Sequence, residues 1–154
     1  MNSISFISGD EALLDDVKEL WEGLNEHHLA NTKHFAGHYS NFTYQLRKDY
    51  FIKKAQKRAL RVDIAIDKEG QERIGYCICS VDEEKIGEIE SVYVLENYRT
   101  LGVGKELVKK ALGWMDELGT VKKVVTVASG NENAFGFYEK FGFYPRKTVL
   151  EQLK

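Results

Sequence analysis

Two glycines one residue apart, Gly102 and Gly104, follow Arg99 in the stretch NYRTLGVGKEL and open a run with helical spacing. Those residues can grip an anion. Amides at a helix start point outward, the helix dipole favours negative charge there, and glycine has no Cβ to hold oxygens away. Three nucleotide-binding patterns fail on this stretch. A P-loop needs G-x-x-x-x-G-K-[ST], but Arg99 stands in place of the first glycine and Glu106 in place of the magnesium-binding hydroxyl. A dinucleotide fingerprint needs a third glycine where Leu107 or Val108 stands. A kinase-type loop belongs to a domain far larger than 154 residues. What remains is R-x-x-G-x-G, a cradle that fits a short pyrophosphate without a metal.

Other residues carry chemistry of their own. Glu88 and Glu90 lie two apart in GEIESV, and strand alternation puts both on the face of Val92 and Val94. A carboxylate whose pKa is raised by burial can take a proton from an ammonium through water. His27, His28, His34 and His38 cluster early, with His34 and His38 at the i, i+4 spacing of a zinc pair on a helix. No third ligand follows at good spacing and Gly37 argues against a helix there, so no metal is expected and a surface or substrate-loop role is preferred. Cys77 and Cys79 share one strand face, but C-x-C is neither a redox pair nor a zinc knuckle; they read as reduced core residues. Phe35, Tyr39, Phe42, Tyr44, Tyr50 and Phe51 either line an acceptor pocket or fill the core.

The elements that must position these groups form one α/β domain over residues 1–154. SISFIS reads as an opening strand, and Ser8 with Glu11 as a capping box for the helix that carries Leu13, Leu14, Val17, Leu20, Trp21 and Leu24. LANTKHFAGHYSN breaks the pattern as a loop or short turn, and a second helix spans 44–58. From Arg61 the period becomes that of strands: RVDIAI, RIGYCICSV and IGEIESVYV, separated by the turn residues of DKEGQE and DEEK. The glycine loop leads into a helix with a stripe from Leu107 to Leu118, ended by Gly119. VKKVVTVA is then a buried strand parallel to IESVYV, because a helix crosses between them. A short helix over 131–141 closes at Gly142, and TVLEQL reads as a last strand. Net charge is −2, which offers no basic field to nucleic acid or an anionic membrane. No segment approaches the ~20 apolar residues of a membrane span. Together with the cysteine usage this predicts a cytoplasmic protein.

IESVYVLENYRTLGVGKELVKKAL resembles the acetyl-CoA-binding segment of the GNAT superfamily of N-acetyltransferases, whose signature [RQ]-x-x-G-x-[GA] follows the fourth strand. NENAFGFYEKFGF is similar to the family's downstream N-x-x-A-x-x-x-Y-E-K-x-G-F. The two stand in the right order, one helix and one strand apart, and the resemblance covers roughly residues 61–154. Two departures are visible, Glu96 where proline is frequent and Thr100 where glycine is; neither removes a required group. The first 60 residues match nothing that assigns a substrate.

The resemblance implies a mainly antiparallel mixed sheet with splayed parallel central strands flanked by helices. It implies an N-acetyltransferase moving the acetyl group of acetyl-CoA to a primary amine by direct attack in a ternary complex. Arg99, Thr100, Leu101, Gly102, Val103 and Gly104 would then cradle the pyrophosphate. Backbone groups of Val92 and Val94 would hold the pantetheine arm, with the Val94 amide as oxyanion donor. Asn131 would bond the arm or cap its helix. Tyr138 would protonate the departing thiolate, a transfer the phenol pKa of ~10 and thiol pKa of ~8.5 allow. Glu90, ahead of Glu88, is the candidate base, unless the β-bulge that the family implies in this strand reverses their face. The acceptor is read as a small molecule rather than a protein, and Glu22 and Glu26 would suit its cation. The alternative is a non-catalytic acyl-CoA-binding module. The edge left by the last strand is a candidate contact for a homodimer.

Overall fold

A computed structural model describes residues 3–154; Met1 and Asn2, which open the expected domain, lie outside the described residues. Five strands form one sheet in the order β1 (Ile4–Gly9), β2 (Ala59–Asp67), β3 (Glu72–Val81), β4 (Ile86–Val94) and β5 (Lys122–Val125). The first four run antiparallel and β5 joins β4 in parallel. The two meander turns form as their residues dictate. Gln71 and Lys85 take positive φ, and the Asp82 carboxylate accepts from the amides of Glu84 and Ile86.

Helices cover both faces. On one side lie α1 (Lys18–Asn31), α2 (Ala36–Asn41) and α3 (Tyr44–Ala55). Leu14, Val17, Leu20, Trp21, Tyr44 and Phe51 from this side pack on Val62, Ile64, Tyr76 and Ile78 of the sheet. On the other side α4 (Val103–Glu117) buries Val103, Leu107, Val108, Ala111 and Met115 against Cys77, Cys79, Ile89 and Val94. The i, i+4 spacing of that stripe is the one read from sequence. Both cysteines are free and buried on the α4 face.

Four local expectations are corrected. Ser8 belongs to β1 and donates to the Asp63 carboxylate. The cap is Asp10, which accepts from the Ala12 amide at 2.9 Å and starts a 3-10 segment, Glu11–Val17, before α1. The presumed loop holds α2, in which Gly37 lies in the first turn, where its low helix propensity matters least. TVLEQL forms no strand: residues 143–154 have no regular structure, and Val149, Leu150 and Leu153 are exposed. A strand needs a neighbour to satisfy its amides, and this stretch pairs with none among the described residues. On that side the sheet therefore ends at β5, which is only four residues long; its other edge is β1.

Candidate active site

The parallel pairing of β4 with β5 covers only Ile86 to Ile89 and ends at Ile89↔Val125. β4 continues to Val94 without β5, so the two strands part and leave a gap. Its backbone lining follows from the antiparallel ladder on the other side. The Leu95 amide bonds to the Ile74 carbonyl at 2.8 Å, and Val94 pairs with Gly75 one step away. In such a ladder hydrogen-bonded and non-bonded pairs alternate. Val94 and Val92 fall on the non-bonded pairs, so their amides point away from β3 into the gap. The Val94 carbonyl is taken by Arg99 Nε at 2.9 Å.

Beyond the gap the chain makes a 3-10 turn, Glu96–Leu101, that includes Arg99, Thr100 and Leu101. Gly102 then takes φ +77, a left-handed conformation in which a side chain is strained, and serves as N-cap of α4. No side chain caps this helix, so the amides of its first turn stay available to a ligand. Val103 is buried and pins the turn to the core. A Cβ on Gly104 would stand 3.6 Å from the Phe137 ring and 3.7 Å from Val94. A cavity of about 210 Å³ lined by Lys105, Phe137, Lys140 and Phe141 adjoins the same turn. Its two ammonium groups extend the positive character of the helix end. Arg99 turns back on the strand, with its guanidinium 5.4 Å from the Tyr93 ring centroid.

Tyr138 sits in α5 (Ala134–Glu139), edge to face with Phe137 and Phe143, against the α4-side core. Burial, with a smaller contribution from Cys77, pushes its phenol pKa well above the ordinary value. Cys77 is the ladder partner of Val92, so the ring lies near the gap. Asn131 does not cap α5, whose N-cap is Asn133; its Oδ1 lies 3.3 Å from His27 Nε2 on α1. Sequence reading missed this link between the helical layer and the loop after β5. Its signal is Gly130, at φ +99, where a Cβ would collide with the Asn31 carbonyl.

The glutamates lie elsewhere than simple alternation predicts. The β3–β4 register shifts between Ile78 and Cys79, so that Glu90 is the extra residue of a bulge. Val92 and Val94 pack on the α4 side, whereas Glu88 and Glu90 meet α3 on the opposite face. The Glu90 side chain is 2% exposed, 2.5 Å from Lys54 Nζ, and accepts from Ser80 Oγ at 2.7 Å. Glu88, 24% exposed, lies 3.4 Å from Lys54 and 3.6 Å from Arg58. Burial acts against the Lys54 ammonium, but hydrogen bonds to Glu90 and Tyr50 and the two carboxylate charges raise its pKa overall. Arg47 donates to the Glu90 carbonyl at the bulge, Tyr50 lies beside Arg47 and Lys54, and His28 feels the Arg47 charge. Burial, then the charges of His27 and Arg47, lowers the His28 pKa to about 4, so its ring is neutral at pH 7.

Glu22 and Glu26 line a separate open groove with Asn25, Phe42 and Thr43. Among the described residues no three His, Cys, Asp or Glu side chains could jointly hold a metal ion. No helix among them is long and apolar enough to cross a membrane.

Residues 20–143 match the model of the acetyltransferase (GNAT) family. The chain is 31% identical over 123 residues to human N-alpha-acetyltransferase 30, an overlap of 77% of this chain and 32% of that protein. It thus spans about a third of the length of that curated relative. It is 32% identical over 84 residues to a mycothiol acetyltransferase of Corynebacterium efficiens, which covers 54% of this chain and 27% of that one. Among solved structures, the aminoglycoside N-acetyltransferase AAC(6')-Iy in complex with CoA superposes with a TM-score of 0.67 at 18% identity, over 100% of this chain and 96% of that one. At that identity the likeness concerns the fold, a mixed sheet with one parallel pair.

Proposed function

Because the chain belongs to the acetyltransferase (GNAT) family, we propose that it transfers the acetyl group of acetyl-CoA to a primary amine by direct attack within a ternary complex. The observation that carries this reading is the uncapped start of α4 behind a left-handed Gly102, opening beside the gap where β4 outruns β5. Amides that neither a side chain nor a neighbouring strand satisfies suit a bound anion and an extended amide-bearing arm. Acetyl-CoA supplies an activated thioester and a thiol leaving group, and everything else comes from the chain.

In this reading Thr100, Leu101, Gly102, Val103 and Gly104 present the backbone cradle, and Arg99 ties that cradle to the end of β4. The Val92 and Val94 amides hold the arm, and the Val94 amide also offers a hydrogen bond to the carbonyl oxygen as negative charge grows on it. Asn131 fixes the far side of the gap through His27. The sheet separates the two proton transfers. Tyr138 approaches from the α4 side, where burial raises its pKa. That keeps the phenol protonated but makes it a weaker acid. It first serves the departing thiolate as a hydrogen-bond donor and gives up its proton only as negative charge develops on sulfur. The amine enters from the α1–α3 side, where Glu88 and Glu90 stand. Glu90 is held between Lys54 and Ser80 and orients the acceptor's surroundings; Glu88, with an open side, takes the amine's proton through water. The acceptor is a small amine.

The experiment mixes the protein with acetyl-CoA and a panel of amines and follows free thiol. Release with at least one amine is expected, and Tyr138→Phe should lower kcat by about 100-fold with little change in the acetyl-CoA KM. A tight CoA complex without release for any amine would leave a binding module instead. If Glu88→Gln and Glu90→Gln both kept the parent kcat/KM across pH, neither carboxylate would be the base.

A further inference from the structure

The half-buried cations of the α3 region fall into two classes. Lys48 pairs with Asp15 at 2.6 Å, Lys54 with Glu90 at 2.5 Å, and Arg58 with Asp82 at 3.6 Å. Arg47 differs. Its Nη2 donates to the main-chain carbonyl of Glu90 at 3.1 Å, and its guanidinium lies 4.4 Å from the Phe51 ring centroid and 5.1 Å from that of Tyr50. Among the described residues no carboxylate stands within ion-pair distance of it. Arg47 is half-buried and its positive charge is felt around it: it contributes to lowering the His28 pKa and opposes the upward shifts of Tyr44 and Tyr76.

A half-buried guanidinium without a carboxylate is costly, and stacking with one carbonyl bond leaves most of its five donors unused. Its position is informative. Glu90 is the first β4 residue past the last β4–β5 pair, so Arg47 reaches the mouth of the gap. Val92 lies two residues on, about 7 Å along a strand. The neighbouring Glu88 and Glu90 charges are already countered by Lys54 and Arg58, and His28 beside it is neutral. A single planar fork suits a monoanion.

We propose that Arg47 is a specificity residue that binds a carboxylate of the acceptor, so that the substrates of this site are amino acids or related amines bearing a carboxylate. The inference rests on the transferase reading above, but it can fail independently. The acceptors for the test are the ω-amino acids from glycine to 6-aminohexanoate, each compared with its own amide at equal ionic strength. Thiol release measures turnover, and calorimetry on the protein–CoA complex measures binding without it.

At least one acid should exceed its amide in kcat/KM by about 10- to 100-fold, the worth of a charge-assisted bond. Arg47→Met keeps the apolar stem on Phe51 and should erase that preference by raising the KM for the acid about 10- to 100-fold more than that for the amide. Arg47→Lys should restore part of it. Equal use of acid and amide across the series would overturn the proposal. So would an Arg47→Met loss that falls equally on both, since that marks a structural role. If no amine releases thiol, the transferase reading falls, and calorimetry decides this one alone: tighter binding of an acid than its amide supports it, and equal binding overturns it.

Discussion

The two halves of the candidate site are built from different materials. The cradle between β4 and α4 is made of backbone: a left-handed glycine, a helix start without a side-chain cap, and strand amides turned into a gap. The acceptor side, under α1 and α3, is made of side chains: two glutamates, Lys54, Arg47, Arg58 and Ser80 drawn together by a bulge. Backbone geometry needs only glycine and helical periodicity, which any observer of the sequence can locate. A side-chain network depends on which residues tertiary packing brings together, and here they come from positions 47 to 90, on α3, the turn after it, β3 and β4. In the proposed reading the first half would recognise the cosubstrate and the second half the acceptor.

The largest expected effect breaks the cradle alone. In Gly104→Asp the new Cβ meets Phe137 and Val94 at ordinary contact distances, so the fold has room for it. Its carboxylate, however, stands at amides proposed to face a pyrophosphate, and juxtaposed like charges cost several kcal/mol. Acetyl-CoA affinity should fall by about 100-fold or more while the melting temperature moves by a few degrees at most. Calorimetric titration with CoA reads the first and circular dichroism the second. Unchanged affinity would place the phosphates elsewhere and dissolve the comparison. Gly104→Ala is the control, which should bind nearly as the parent does.

The same division explains what was legible. The glycine loop, the α4 stripe and the meander were readable because each is a local pattern with one structural solution: Gly102 is left-handed, and Leu107, Val108, Ala111 and Met115 are buried as spaced. For Glu88 and Glu90 the alternation rule, which holds only for unbroken pairing, gives the wrong face, and the β-bulge that the family resemblance implies gives the right one. One extra residue at position 90 put them across the sheet from Val92. Ser8 was read as a cap because capping chemistry is local, but its hydroxyl meets Asp63, 55 residues away. TVLEQL has a strand composition but no partner strand among the described residues, a condition no single segment can reveal about itself. Asn131 met His27 rather than its own helix, for the same reason.

A middle-sized effect sharpens the acceptor half. Lys54→Met leaves the Glu90 carboxylate, only 2% exposed, without its ammonium. Removing one member of a buried pair costs about 3 kcal/mol, most of it the unpaired charge. Replacing both, Lys54→Met with Glu90→Gln, removes the charge together with its partner and should recover most of the loss. Urea unfolding with an unchanged slope measures both variants. CoA affinity should stay near the parent value in each, since the Lys54 and Glu90 side chains meet on the α3 face of the sheet, across from α4 and its glycine turn. A single variant as stable as the parent would show that the pair is hydrated and not the organising contact of the bulge.

The smallest effect separates the halves by pH. His28 belongs to the acceptor side, and its pKa drops from 6.5 to about 4, chiefly through burial and then through His27 and Arg47. Below pH 6.5 the unfolded chain takes up a proton on this ring while the folded chain resists until about pH 4. The unfolded state therefore binds more protons through that window, and stability falls as pH falls from 6.5 to 4; above pH 7 the ring contributes nothing to the slope. The full shift would amount to about 3 kcal/mol, but the ring is only partly buried, and screening reduces the expectation to about 1–2 kcal/mol. His28→Gln keeps a polar side chain of similar reach that does not titrate. It should flatten the acid limb of the unfolding free energy between pH 6.5 and 4 and leave the neutral plateau parallel to that of the parent. The cradle residues from Thr100 to Gly104 have no titratable side chain, so Gly104→Ala should keep the parent's acid limb. If His28→Gln also keeps it, the proton taken up on acid unfolding belongs to another group, and the acceptor side loses its claim to be the pH-sensitive half.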